Sequence, residues 1–149
     1  MSQSLARVII HLIFSTKDRA PSLADGTRCH DVHAYLAATA QHLGCPAIRV
    51  GGVADHVHVV CCLARTVSVA ALVAKLKVGS SQLLKIKAGI RFQWQNGYGA
   101  FSVSESALES VVDYVANQAL HHRHLSFQDE YRAFLRRHGV EFDERYVWD

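Results

Sequence analysis

The spacing of apolar positions changes several times along the chain, and each change marks an element. Residues 6–15, ARVIIHLIFS, are rich in β-branched side chains and predict a strand. In that strand His11 points away from the face shared by Val8, Ile10, Leu12 and Phe14. The polar stretch KDRAPSLADGT reads as a loop. Val32, Tyr35, Leu36 and Leu43 then recur at helical spacing over about residues 29–43, with Gly44 as a natural stop. Pro46 opens a strand over about residues 47–53. GGVAD supplies turn residues before a second strand that runs to about Leu63, so the two predict an antiparallel hairpin. Ser68 is placed to cap a helix whose stripe is Val69, Leu72, Val73, Leu76, Leu83 and Leu84, with Gly79 as its weak point. GIRFQWQNGYGAFSVS reads as a loop that enters a short strand near residues 100–103. Ser106 and Glu109 have the spacing of a capping box for a third long helix reaching about His124. A last helix covers about residues 127–137 and stops at Gly139.

The order β-α-β-β-α-β, followed by more helix, predicts an α+β fold on the ferredoxin-like, RRM-like split βαβ plan. One antiparallel sheet would carry helices on one face, with an added C-terminal helix bearing Tyr114. The other face is expected to be open to a ligand or partner. The 149 residues suit one domain, residues 1–149. RNA-recognition modules share this topology, so it does not choose a function.

Composition narrows the class. Half the residues are hydrophobic and 19% are charged, which excludes a disordered chain. A net charge of +3 permits an anionic partner without requiring one. Cys29, Cys45, Cys61 and Cys62 form no C-x-x-C pair, and Cys61 and Cys62 point to opposite faces of their strand. Free thiols in a reducing compartment are expected rather than a disulfide framework or a zinc knuckle. No signal-peptide pattern and no membrane-length apolar run is visible, so the expected location is cytoplasmic.

The chemistry concentrates in ADHVHVVCCLA, residues 54–64. His56 and His58 project from one strand face, while Val57, Val59 and Cys61 fill the other. Two readings stand side by side: two hydrogen-bonded imidazoles on a half-exposed strand, or two ligands of one metal ion. A third ligand is available on the third helix. Tyr114 and Gln118, four residues apart, lie beside its apolar stripe, and His121 continues that side. An amide oxygen from Gln118 would complete a site for a hard divalent ion, with Tyr114 next to it. A neighbouring cation favours the phenolate and polarises a phosphoryl oxygen, so a phosphodiester is the natural electrophile and a covalent phosphotyrosine the natural product.

These parts resemble a known family, the small single-tyrosine HUH (His-hydrophobic-His) transposases of bacterial insertion sequences. The resemblance extends to the insertion-sequence-200 type and to REP-associated tyrosine transposases. The HUH motif is His56-Val57-His58, and the Tyr-x-x-x-Gln motif is Tyr114 to Gln118. WQNGYGAFSVS, residues 94–104, and the ending from Ser126 to Asp149 are similar to relatives as well. The resemblance implies that His56, His58 and Gln118 bind Mg²⁺ or Mn²⁺. It implies that Tyr114 attacks single-stranded DNA, leaving a 5′-phosphotyrosine and a free 3′-OH, and that a second transesterification rejoins strands. It also implies a homodimer, with sites shared between chains in some members, and recognition of hairpins at element ends.

Other positions keep two readings. Asp55 either orients a ligand histidine or serves the turn; His121 either supports the site or caps a solvated helix end. Lys75, Lys77, Lys85, Lys87 and Arg91 form either a solvated face or a DNA-binding track. Trp94, Tyr98 and Phe101 either pack or stack on bases. The competing function is a non-catalytic or domesticated hairpin-binding protein on the same fold, which would need neither Tyr114 nor Gln118. A relaxase or replication initiator would be larger, and a metallohydrolase would form no tyrosine adduct.

Overall fold

The computed structural model describes residues 2–149. Four strands, β1 (Ile9–Ser15), β2 (Ala47–Val53), β3 (His56–Cys62) and β4 (Gly99–Val103), form one antiparallel sheet in the order β2-β3-β1-β4. Two helices, α1 (Gly26–His42) and α2 (Val69–Lys87), fill the two crossovers, which gives the expected split βαβ plan. Asp25 caps α1 by accepting the Arg28 N–H, so this helix begins before the periodic residues do. Ser68 caps α2 through the Ala71 N–H.

α1 and α2 cover the face that carries Ile10, Leu12, Phe14, Val57, Val59 and Cys61. Their contribution is Val32, Leu36, Leu72, Leu76 and Leu84, all buried. Each such side chain contributes about 2 kcal/mol relative to an exposed one. Trp94 and Phe92 close this core, and the Trp94 indole donates to Ser80 Oγ at 2.9 Å. All four cysteines are free. No helix among the described residues is long and apolar enough to cross a membrane.

The second face is not open. Three further helices, α3 (Leu108–Ala116), α4 (Gln118–His121) and α5 (Phe127–Arg137), pack over it. Val111 and Val115 of α3 rest on Ile9 and Val60, and Phe127, Tyr131 and Phe134 of α5 rest on Ile13 and Phe101. β1 is therefore buried along its whole length. The open face expected from the sequence is corrected by the amphipathic α5, whose apolar stripe needs a partner and finds it there.

The third long helix is also corrected. Ser104, not Ser106, caps a single 3-10 turn (Glu105–Ala107) that leads into α3. The helix then breaks at Asn117, whose φ of −107° and ψ of 29° leave the helical range. The Asn117 side chain donates to the Asp113 carbonyl at 2.8 Å, a local bond of the kind with which Asn competes against helix geometry.

Two glycines set how close the covering layer comes. A Cβ on Gly51, the register partner of His58, would stand 2.2 Å from the Val115 carbonyl oxygen. A Cβ on Gly99 would stand 2.7 Å from the Tyr131 ring. Gly51→Ala is expected to destabilise the fold by about 3 kcal/mol through overpacking against backbone. The thermal unfolding midpoint should fall by roughly 6–12 °C. An unchanged midpoint would mean that α3 does not rest on β2.

Candidate metal and tyrosine site

The site lies between the second sheet face and the helices that cover it. β3 alternation sends His56 and His58 into this layer, opposite Ser15 and Ile13 of β1. α4 brings Gln118, the turn after it brings His122, and α5 brings Glu130. His56, His58, Gln118 and Glu130 are each at most 1% exposed. Ligand atoms of His56, His58, His122 and Glu130 all lie within 4.8 Å of one another.

Glu130 is the hub. Its Oε1 accepts from His58 Nε2 at 2.9 Å and lies 3.3 Å from His56 Nε2. Its Oε2 lies 3.0 Å from His122 Nε2 and accepts from the Tyr114 hydroxyl. Gln118 Oε1 faces His56 Nε2 at 3.1 Å and His122 Nε2 at 3.0 Å. Behind the cluster, Asp55 Oδ1 accepts from His56 Nδ1 at 2.7 Å, and His11 Nε2 meets His58 Nδ1 at 2.8 Å. His121 stacks on the Tyr114 ring with centroids 4.4 Å apart.

These contacts test whether a cation fits. A neutral imidazole donates from one nitrogen only. His56 Nδ1 faces Asp55, and its Nε2 faces two more acceptor oxygens. His122 is alike, with Nδ1 on the Leu125 carbonyl at 2.6 Å and Nε2 between Gln118 and Glu130. Each leaves a lone pair aimed at oxygens unless a proton or a metal ion lies between. A carboxylate, an amide oxygen and three imidazole nitrogens are a suitable donor set for a divalent ion.

The electrostatics agree. Burial by itself would lower the His56 pKa, but hydrogen bonds to Asp55 and Glu130 raise it to about 9. Burial lowers His58, and lowers His11 well below its usual value, so His11 is neutral. Burial alone would raise Glu130, yet the bonds from His122, His56 and His58 outweigh it and keep the carboxylate ionised. Tyr114 is raised, by burial first and then by its bond to Glu130, so without a cation it is held as the phenol.

The sequence-predicted residues His56, His58, Tyr114 and Gln118 are thus brought to one place, with Asp55 behind His56 and His121 against the tyrosine ring. His122, which with His121 and His124 reads from the sequence as a solvated helix end more readily than as a ligand, joins the cluster, and Glu130 was not foreseen as a member. For Glu130 a signal existed: a lone carboxylate between Phe127, Tyr131 and Phe134 on the buried stripe of α5.

The basic residues do not join this site. Lys75, Lys77, Lys85 and Lys87 belong to α2, which covers the opposite sheet face. Lys77 donates to the carbonyls of Gln95, Asn96 and Gly97, and Lys87 pairs with Asp31 at 3.1 Å. Lys75, Lys85 and Arg91 are exposed. Trp94 and Phe101 are core residues, which removes them as base-stacking platforms; Tyr98 is 36% exposed.

No curated protein sequence matches the chain at a significant level. Two solved structures share the fold. One, a candidate transposase from Deinococcus radiodurans, is 23% identical, has a TM-score of 0.59, and aligns over 79% of this chain and 98% of its own. The other, a REP-associated tyrosine transposase bound to a REP hairpin, is 12% identical, has a TM-score of 0.60, and aligns over 82% of this chain and 74% of its own. The family model described as "Transposase IS200 like" matches residues 4–118, a span that includes both histidines of the strand, the tyrosine and the glutamine. The chain therefore belongs to the IS200-like transposase family, whose members are DNA strand transferases.

Proposed function

We propose that this protein cleaves and rejoins single-stranded DNA by metal-assisted transesterification with Tyr114 as the nucleophile. The observation that carries the reading is the meeting, within one chain, of the Tyr114 hydroxyl with a cluster of His56, His58, Gln118, His122 and Glu130. His56, His58, Gln118 and Glu130 would hold a divalent ion, with His122 as a further donor. Mg²⁺ and Mn²⁺ are the candidates, and Mn²⁺ suits a set containing imidazole nitrogens better. When bound, the ion supplies positive charge that favours the phenolate and polarises a phosphoryl oxygen.

The chain's own residues supply the rest. Asp55 and His11 fix the two strand imidazoles so that both Nε2 atoms face the centre. Tyr114 is half-buried, with His121 stacked on its ring. Its oxygen attacks phosphorus while the bond from phosphorus to the 3′ oxygen breaks. The phenol proton leaves through the hydrogen bond to Glu130, and Glu130 passes it on to the departing oxygen, which is released as a free 3′-OH while the carboxylate is restored. The product is a 5′-phosphotyrosine, which conserves the bond energy for attack by another 3′-OH.

The REP hairpin held by the similarly folded transposase supports a hairpin as the recognition element here. A homodimer would bring two strands together, with each site completed within one chain or shared between the two. A chromosomal DNA substrate fits a cytoplasmic location.

Purified protein, mixed with labelled single-stranded DNA from its own locus and Mn²⁺, should give a protein–DNA band that survives a denaturing gel. Tyr114→Phe and chelation of the metal should each remove that band. Tight hairpin binding with no band, under any flanking sequence or metal, would instead favour the non-catalytic binding protein. A second measurement concerns the ligands. Glu130→Gln should weaken Mn²⁺ binding by about tenfold or more in titration calorimetry. Equal affinity in wild type and variant would remove Glu130 from the ligand set.

A further inference from the structure

We propose that the strand reaches the Tyr114 site along a basic groove at one end of the sheet, where Lys17, Arg19, Lys85 and Arg91 neutralise its phosphates. This rests on the reading of the chain as a single-stranded DNA transferase; it keeps Lys85 and Arg91 from the track the sequence suggested and joins them to Lys17 and Arg19 in place of the rest. Two cavities, about 480 and 250 Å³, share Lys17, Asp18 and Gln93 and so form one depression around the turn Lys17–Arg19. One arm runs to Lys85 and Arg91, and the other to Trp148, above which the Arg19 guanidinium lies at 5.8 Å.

Twelve of the sixteen lysines and arginines lack a carboxylate partner among the described residues, and four of these twelve gather around this groove. Arg7, Lys87, Arg132 and Arg145 each pair with a carboxylate of the chain. Among the described residues, Lys17, Arg19, Lys85 and Arg91 have no carboxylate oxygen within 4.0 Å. Asp18 and the C-terminal Asp149 are the acidic residues in the lining. Four cations without an internal partner match a phosphate chain.

Position ties the groove to the chemistry. Ser15 is the register partner of His56, and the Thr16 N–H donates to the Asp55 carbonyl at 2.8 Å. Lys17 follows directly, its own N–H bonded to the Gln93 carbonyl at 2.8 Å. The groove therefore begins two residues from the strand position beside the metal ligand. Its turn is also conformationally costly, because Asp18 and Arg19 both adopt a φ of 55°, left-handed backbone in consecutive non-glycine residues. Such geometry costs about 1–2 kcal/mol per residue and tends to persist at functional turns. Here it turns Lys17 and Arg19 outward at the sheet end, and both are at least partly exposed.

The test is fluorescence anisotropy of wild type and of the double variant Lys17→Gln, Arg91→Gln, using a labelled hairpin with single-stranded flanks, across a salt series. Arg65→Gln, exposed beyond the opposite end of β3, is the control. The double variant should bind about tenfold more weakly at moderate salt. Its slope of log affinity against log salt should be shallower by about 1.4, or about 0.7 for each lost contact to a single strand. Its Mn²⁺ binding should be unchanged, and the control should bind like wild type. If the double variant keeps wild-type affinity and slope while wild type forms the Tyr114 adduct, the groove is overturned and the transferase reading stands. The groove is also overturned if Arg65→Gln loses as much affinity as the double variant. If wild type binds through the groove yet forms no adduct, the transferase reading fails and the groove remains a single-strand binding site. Absence of any wild-type binding overturns both.

Discussion

A single buried carboxylate holds the second face of the molecule together. Glu130 meets three imidazoles and the tyrosine hydroxyl, and these groups come from β3, α3, the turn after α4, and α5. A carboxylate enclosed this fully is costly unless each lone pair is used. Its placement therefore demands that the strand histidines, His122 and Tyr114 all be in position at once. No buried side-chain nitrogen or oxygen among the described residues lacks a partner. The same network aligns acceptor oxygens and imidazole nitrogens around one point, which is the arrangement a divalent ion requires.

The two faces of the sheet consequently have different physical characters. The α1–α2 face is a conventional apolar core, in which volume and shape decide the fit. The α3–α5 face carries apolar clusters at its margins and a polar centre. Gly51 and Gly99 allow the covering helices to approach close enough for that centre to be dry. Burial of this kind strengthens the interaction of the surrounding charges with the Tyr114 phenol. The site residues that the family match spans end at Gln118, while His122 and Glu130 lie beyond it. The C-terminal segment thus builds part of the centre in addition to covering it.

The fold was largely legible in the sequence, since its evidence is local. Strand alternation around His56 and His58, the cap at Ser68 and the stripe of α2 depend on neighbours a few residues away. The element order then leaves few topologies. Where the reading failed, a tertiary contact outweighed the local signal. Phe101 and Trp94, aromatic residues near a glycine-rich loop, are claimed by two different cores. Lys77, one cation among several on α2, is drawn onto three carbonyls of that loop.

The sequence by itself determined the split βαβ plan, the side of β3 that carries the imidazoles, and the pairing of Tyr114 with Gln118, because each follows from a helical or strand period. Only the tertiary structure decided which elements cover the second face and that His122 and Glu130 join the centre. Those outcomes depend on contacts across 72 residues, as between His58 and Glu130. No period along the chain encodes a contact of that separation. It is selected by the need to bury the apolar side of α5 without leaving its carboxylate unpaired.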